Sequence, residues 1–393
     1  MNAPVQSPVD TPEIDVGHFL EHGYVSVPFL SPTEIEELRT TILKIVEHRT
    51  QHFPVYHPPY TLEYLHNLHC SISSKLSSTG GAGGVMDIHY DLALDRIRTD
   101  PRIFSIVKHI WSQSYGCSAP GFELPPNVFS SYDFTRGYCT IDRICLRCPD
   151  SISNYSGRKK RATKCLTPHL DCCPESIHSG LLPPFPPPPP PSSSNLPSAK
   201  PCRMWRPVQC FLLLSSNLLP STGGIELAPG YHKTFFDVDD WTSSRCGDGE
   251  QSCFGPFTAV RNRSVTKDIR HIPVSAGSLF FWDEKIPHAT ALAHLGSEGR
   301  VAIYLGFLPH GPCNSLYKEW ERGLWERGLI WVGGGQNWIN GKEVGGGEDE
   351  SEEDKELRAS GFIREKQRIE KGQEGVQPFD AVGRKLMGIE EWD

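Results

Sequence analysis

Two regimes of hydrophobic patterning divide the chain. Through residue 111 apolar positions recur mostly at helical spacing; beyond it they come as short runs and alternations of strand length. Residues 1–14 carry no pattern and are expected to be disordered. Val16 onward predicts a short helix closed by Gly23, then a strand, then Ser31 as the N-cap of a second helix. Pro32 and Glu34 suit the first turn of that helix, and Ile35, Leu38, Ile42 and Ile45 form its apolar stripe. Gln51 to Val85 is rich in His, Pro, Ser and Gly and predicts irregular structure. The helical pattern returns from Ile88 to Trp111, broken at Asp100-Pro101.

Thr140 to Cys148 alternates like a strand, and 149–166 reads as a polar, basic loop. Thr167-Pro168-His169-Leu170-Asp171 reads as a strand end. The run Pro183–Pro191, interrupted by Phe185 and followed by serines, predicts a polyproline II spacer within an insertion of about 174–204. Val208 to Leu214 is an apolar run of buried-strand length, and Gly223-Gly224 to Pro229-Gly230 reads as turn, short strand, turn. A polar second insertion is expected at about 237–268, then strands near 271–274, 278–282 and 300–308. Tyr317 to Leu329 predicts a helix, and Gly345 to Glu370 a solvated, charged segment. Phe379, Leu386, Met387, Ile389 and Trp392 are apolar enough to dock back onto the body. Helices followed by many short strands predict a mainly β fold, a double-stranded β-helix (jelly roll, cupin-like) flanked by helices. The expected domain spans 15–310, with 311–393 as a C-terminal extension.

Composition narrows the partners. The 393 residues suffice for a full core. With 39 basic against 47 acidic residues, a formal net charge of −8, there is no reason to expect nucleic acid. Arg158-Lys159-Lys160-Arg161 is a local, solvated cluster. Thirteen scattered cysteines without a secretory signal read as reduced thiols in a cytoplasmic compartment. No peroxisomal address ends the chain, although a peroxisomal route stays open. No stretch approaches the roughly 20 apolar residues of a membrane span.

The candidate chemistry begins at His169 and Asp171. At i and i+2 of a strand they share a face, which places an imidazole beside a carboxylate. One more histidine would complete a two-His-one-carboxylate set, which suits Fe(II) and leaves open positions for substrate and dioxygen. His288 is the best candidate, in competition with His271, His294 and His310. His294 lies too close to Arg300 for a strand reversal, and both it and His310 read as surface histidines. His178 and His232 read as loop residues. Arg300, twelve residues after His288, opens an alternating run; its guanidinium suits the carboxylate of a co-substrate. Gln209, Thr290 and Tyr304 could add polar lining. A second His-x-Asp, His89-Tyr90-Asp91, falls in a helical pattern, where i and i+2 do not share a face. Cys145-x-x-Cys148 lies in strand-like alternation rather than on the turn a zinc site prefers.

Taken in order, these features resemble the phytanoyl-CoA dioxygenase family of Fe(II)- and 2-oxoglutarate-dependent oxygenases. The marks are Phe19–Ser31 with its Pro-x-Glu helix start, His169-Leu170-Asp171, Gly223-Gly224 with Pro229-Gly230 and His232, Ala276-Gly277-Ser278, His288 and Arg300. The resemblance covers roughly 15–310. It implies Fe(II) held by His169, Asp171 and His288, 2-oxoglutarate bound through Arg300, and hydroxylation of a small-molecule or lipid-derived substrate with release of succinate and CO2. The polyproline insertion and the acidic C-terminal region depart from the family pattern and leave the substrate open. The rival readings are a non-catalytic jelly-roll module binding through its polyproline and acidic segments, and a cupin-like metal enzyme without a co-substrate.

Overall fold

The computed structural model describes residues 13–50, 81–123, 132–150, 165–172, 174, 177, 204–238, 241, 258–331, 362–364 and 379–392. The polyproline run and the basic cluster at 158–161 lie outside these residues, as do 51–80 and most of 345–370.

The N-terminal elements form as their caps dictate. Helix α1 (Val16–His22) starts on Asp15, whose carboxylate accepts from His18 N, and stops at Gly23 in the left-handed region. Strand β1 (Tyr24–Pro28) follows. Helix α2 (Pro32–Thr50) opens with a capping box: Ser31 Oγ accepts from Glu34 N, and Glu34 accepts from Ser31 N at 2.7 Å. After β2 (Val85–Met86) come α3 (Leu92–Arg98) and α4 (Pro101–Gln113), capped by Asp91 and Asp100. The helical pattern therefore starts at Leu92, not at Ile88. Helix α4 buries Ile103, Phe104, Ile106, Val107, Ile110 and Trp111 at helical spacing.

Strands β3 (Asp133–Thr140) and β4 (Ile144–Arg147) replace the single strand expected over Thr140–Cys148. The break has a cause in its hydrogen bonds. Ile141 N donates to Glu321, and Arg143 N donates to the Asp142 side chain. The remaining strands are β5 (His169–Leu170), β6 (Val208–Leu213), β7 (Ile225–Leu227), β8 (Thr258–Ala259), β9 (Arg270–His271), β10 (Ser278–Asp283), β11 (His288–Thr290) and β12 (Arg300–His310). They build two antiparallel sheets. The large one runs β1-β10-β6-β12-β4-β2, with β3 also on β12; the small one runs β8-β5-β11-β7-β9. The described fold is thus mainly β and jelly-roll-like, with flanking helices.

Two cores explain why the large sheet's strands are continuous apolar runs. Leu212, Leu279, Phe281, Val301, Ile303 and Leu305 pack outward against α2 and α4 residues such as Ile42 and Ile106. The alternate positions, Phe211, Leu213, Phe280, Trp282 and Ala302, face Ile225, Leu227 and Ile272 of the small sheet's side. A strand buried on both faces loses its polar alternation. Each buried Phe contributes about 1.5–3 kcal/mol of burial energy. Arg300 shares the inner parity with Ala302, away from the aliphatic side, as its sequence alternation suggests.

The described part of the second insertion forms regular elements. Thr258–Ala259 pairs with β5, and Asn262 caps helix α5 (Arg263–Thr266). Helix α6 (Pro312–Arg327) begins five residues before the expected Tyr317, at Pro312 after Gly311. Strands β13 (Leu329–Trp331) and β14 (Phe362–Arg364) pair, so the segment expected to be solvated contributes a strand. Helix α7 (Ala381–Leu386) carries the chain end home: Phe379, Leu386 and Met387 are buried in the outer core, with Ile389 and Trp392 against it. Among the described residues no helix is long and apolar enough to cross a membrane.

Candidate metal centre

Strands β5 and β11 put their first residues side by side. His169 and His288 are direct register partners across the ladder, with ring centroids 4.2 Å apart. Each strand is held from its other flank as well, β5 by β8 and β11 by β7. Asp171 follows β5 immediately. Its Oδ1 lies 3.6 Å from His169 Nε2 and its Oδ2 lies 3.5 Å from His288 Nε2. One ligand atom from each of the three falls within 4.8 Å of the others. Among the described residues this is the one such grouping of His, Cys, Asp and Glu.

The tautomers follow from the backbone. His169 Nδ1 lies 2.7 Å from Thr167 O, and His288 Nδ1 lies 3.1 Å from Ile286 O, the same i−2 device on both strands. A carbonyl only accepts, so Nδ1 of each ring is the donor to it and Nε2 is the nitrogen left facing Asp171. Burial and the nearby His288 bring the His169 pKa down to about 4, so that ring is neutral at physiological pH. Burial works to raise the Asp171 carboxyl. His288, His169 and Arg206 outweigh it and hold the group well below the usual carboxylate range. Nε2 of each ring and the Asp171 carboxylate thus converge on one point, a donor set that suits a cation.

Arg300 stands at the start of β12, 2% exposed. Its guanidinium lies over the Phe211 ring at 5.3 Å and donates to Cys145 Sγ at 3.2 Å. Among the described residues no carboxylate pairs with it, and its Nε has no hydrogen-bond partner. Phe211 packs on Trp282, and Trp282 lies edge-on to the His288 ring at 5.3 Å. An aromatic floor therefore links the arginine to the histidines. Burial pushes the Tyr304 phenol, beside Arg300, up to about 12, with Cys145 adding to the rise and Arg300 opposing it.

The other sequence candidates separate cleanly. Thr290 Oγ1 accepts from Leu166 N, which fixes the approach to β5. Gln209 is buried on β6. His294 is 1% exposed, not a surface residue: it bridges to Thr222, its N donates to the Asp150 carboxylate and its O accepts from Asp150 N. His310 and His271 are half-buried. His232 is buried against Phe122, with Nε2 3.1 Å from Leu20 O. His178 lies outside the described residues. Among the described residues Cys145 and Cys148 join no disulfide and no metal-type cluster. His89 and Asp91 sit on the coil ahead of α3, not on the helix, and Asp91 is its N-cap.

Sequence reasoning missed Arg147, the register partner of Arg300 on β4 and fully buried. A charged residue inside the apolar run Ile144–Arg147 was the available signal. It also missed Arg206 beside Asp171, for which no local pattern exists.

No protein-family model matches the chain, and no curated protein matches it. The resemblance to phytanoyl-CoA dioxygenases is therefore not carried by any family model. Solved structures do match. GIG2, the GlcNAc Inducible Gene 2 protein (DUF1479) of Candida albicans, is 15% identical with a TM-score of 0.56, over 96% of this chain and 76% of that one. The hypothetical protein JW0805 of Escherichia coli, at high pH, is 13% identical with a TM-score of 0.57, over 95% and 80%. Both share the fold. The epimerase SnoN, solved in complex with Fe3+, alpha ketoglutarate and nogalamycin RO, is 13% identical with a TM-score of 0.40, over 75% and 81%, too loose a superposition to bear on this chain.

Proposed function

We propose that the chain is an Fe(II)- and 2-oxoglutarate-dependent dioxygenase that hydroxylates a small-molecule or lipid-derived substrate. The two sheets are read as a double-stranded β-helix with the metal at its mouth, within a catalytic unit of 15–310 followed by a C-terminal extension of 311–393. The observation that carries the reading is the His169–Asp171–His288 set, with both Nδ1 protons tied to carbonyls and both Nε2 atoms turned to the carboxylate. Two neutral imidazoles and one carboxylate fit Fe(II). The second supporting observation is Arg300, a buried guanidinium without a carboxylate partner among the described residues.

His169, Asp171 and His288 would hold the metal, and Asp171 would offset part of its charge. When bound, Fe(II) and 2-oxoglutarate supply the oxidation of a C–H bond by dioxygen, with succinate and CO2 released. Arg300 offers a planar fork to the far carboxylate of the keto-acid, preset by Phe211 and Cys145. Tyr304 stays protonated at neutral pH and can donate there. Phe211 and Trp282 keep water from the interior, which strengthens the Arg300–carboxylate attraction.

Anaerobic titration of the full chain with Fe(II) and then 2-oxoglutarate tests the proposal. The expected result is a weak visible charge-transfer band that is absent in His169→Ala. Metal binding without the band would point to a metal enzyme lacking the co-substrate. No metal binding would overturn the proposal.

A further inference from the structure

The strongest unassigned charge near the triad is Arg206. It lies in Trp205-Arg206-Pro207, just ahead of β6, and this tripeptide is held unusually firmly. Asn314, fully buried on α6, grips the Trp205 backbone from both sides: its Oδ1 accepts from Trp205 N at 2.8 Å and its Nδ2 donates to Trp205 O at 3.0 Å. The Trp205 indole donates to Glu284 Oε1 at 2.7 Å, and Glu284 N donates to Pro207 O at 3.0 Å. The Arg206 side chain then crosses the bare face of Gly306 on β12. A Cβ at 306 would collide with Thr140 Oγ1 and stand a tight 3.2 Å from Arg206 Nη1, so the glycine leaves room for both side chains. The guanidinium ends between two acids. Nη1 reaches Asp142 Oδ2 at 3.2 Å, and Nη2 lies 3.8 Å from Asp171 Oδ2.

We propose that Arg206 is a positioning residue for Asp171: anchored on Asp142, it restrains the Asp171 carboxylate so that one oxygen is offered to the metal and the neighbouring position stays free for the keto-acid. The inference rests on the metal reading given under the proposed function. A carboxylate is able to give a metal one oxygen or two, and a guanidinium drawn to one oxygen favours the first. Arg suits the task better than Lys because a planar fork spans two acids at once, whereas an ammonium is a point charge. Metal affinity alone does not decide the matter. Removing Arg206 takes a positive charge from beside the ligand, which favours a cation, and also loosens the ligand, which disfavours it. Chelation of the keto-acid is the quantity that a freed second oxygen would disturb.

The test uses the full chain with Arg206→Gln, Arg206→Lys and Asp142→Asn. Three quantities are read: thermal unfolding without metal, affinity for Mn(II), and 2-oxoglutarate affinity with the charge-transfer band of the Fe(II)-loaded protein. Arg206→Gln is expected to keep its fold and Mn(II) binding, while 2-oxoglutarate affinity drops by about 10- to 100-fold, the range for groups that orient metal ligands, and the band shifts. Arg206→Lys should fall between Gln and the unaltered protein, and Asp142→Asn should show a smaller drop. If Arg206→Gln fails to fold, Arg206→Lys and Asp142→Asn decide on the same readings. Unchanged affinity and band in the folded variants would overturn this inference and leave the proposed function standing. Failure of the unaltered protein to bind metal would overturn both.

Discussion

The chain contains the same tripeptide pattern twice, and the two copies do opposite things. His169-Leu170-Asp171 and His89-Tyr90-Asp91 both follow His-x-Asp, and burial brings both imidazoles to a pKa of about 4. Around His89 the described charges are matched: Arg98 pairs with Asp95 at 2.7 Å and Arg143 approaches Asp87 at 3.6 Å. Asp91 is spent on the backbone of α3, accepting from Ala93 N at 2.8 Å. Around His169 matching is incomplete. Two imidazole nitrogens and a carboxylate face one another, and Arg300 has no carboxylate partner among the described residues. Such a region suits a cation and an anion, whereas the described charges around His89 already pair with one another. The pattern itself says nothing; what converges on it decides.

The largest separation between the copies should come from metal binding. Asp171→Ala or His169→Ala is expected to weaken Mn(II) binding at least about 100-fold, since each removes one of the three proposed ligands, with little change in metal-free unfolding. His89→Gln should leave Mn(II) affinity within about threefold. Equal losses from the two copies would erase the distinction.

Next comes the unmatched arginine. Arg300→Gln should lower 2-oxoglutarate affinity by about 2–5 kcal/mol, the cost of truncating one partner of a buried charge pair. The ligand-free protein should be no less stable, because a buried charge without a counter-ion is itself unfavourable. Isothermal titration and denaturant unfolding of the same variant read both halves. A ligand-free protein that unfolds more easily would show that the Arg300 contacts with Cys145 and Phe211 outweigh the missing counter-ion.

The sequence made one part of this comparison legible and hid another. The large sheet could be read because its strands are long apolar runs: Val208–Leu213, Ser278–Asp283 and Arg300–His310 are buried on both faces. The small sheet resists reading, since a period of two cannot be recognised over His169–Leu170 or Thr258–Ala259. His169, Asp171, His288 and Arg300 could still be named as candidates, because residue type and order along the chain carried them, and the structure brings the first three together. Arg206 was not, because its position depends on Asn314, which is 109 residues from Trp205 in sequence. The Nδ1-to-carbonyl bonds were hidden for a similar reason: a backbone acceptor leaves no mark in residue identity. The reason for dismissing His89 also changes, from a helical face to a helix cap.

A pH series sharpens the contrast by asking what the copies share. Both histidines have folded pKa values near 4 against an ordinary 6.5. As pH falls below 6.5 the unfolded chain takes up protons that the folded chain refuses. Stability from each ring is therefore fully present above 6.5 and is lost as pH falls towards 4, with a slope of up to about 1.4 kcal/mol per pH unit for each. His89→Gln and His169→Gln should each remove one share of that slope in metal-free protein. Only His169→Gln should also remove the stabilisation that Mn(II) adds at pH 7. A slope unchanged by His89→Gln would mean that burial does not keep that ring neutral.

The smallest expected effect isolates the two carboxylates. Asp91→Ala removes an N-cap acceptor from a seven-residue helix. Loss of such a cap costs typically about 1 kcal/mol. Helix α3 also carries Arg98, whose Nη1 pairs with Asp95 and whose Nη2 donates to His89 O at 2.9 Å. Those contacts anchor the C-terminal half of the helix independently of the cap, so the loss should stay local. Denaturant unfolding should show the decrease, while Mn(II) and 2-oxoglutarate titrations stay unchanged. Asp91→Asn should recover most of the stability, since Asn caps about as well as Asp. The equivalent change at Asp171 should recover little metal binding, because a neutral amide cannot offset the charge of a divalent cation. If Asp91→Ala weakened metal binding, the cap and the ligand would be coupled through the fold, and the separation between the two copies would fail at the point where it is drawn most finely.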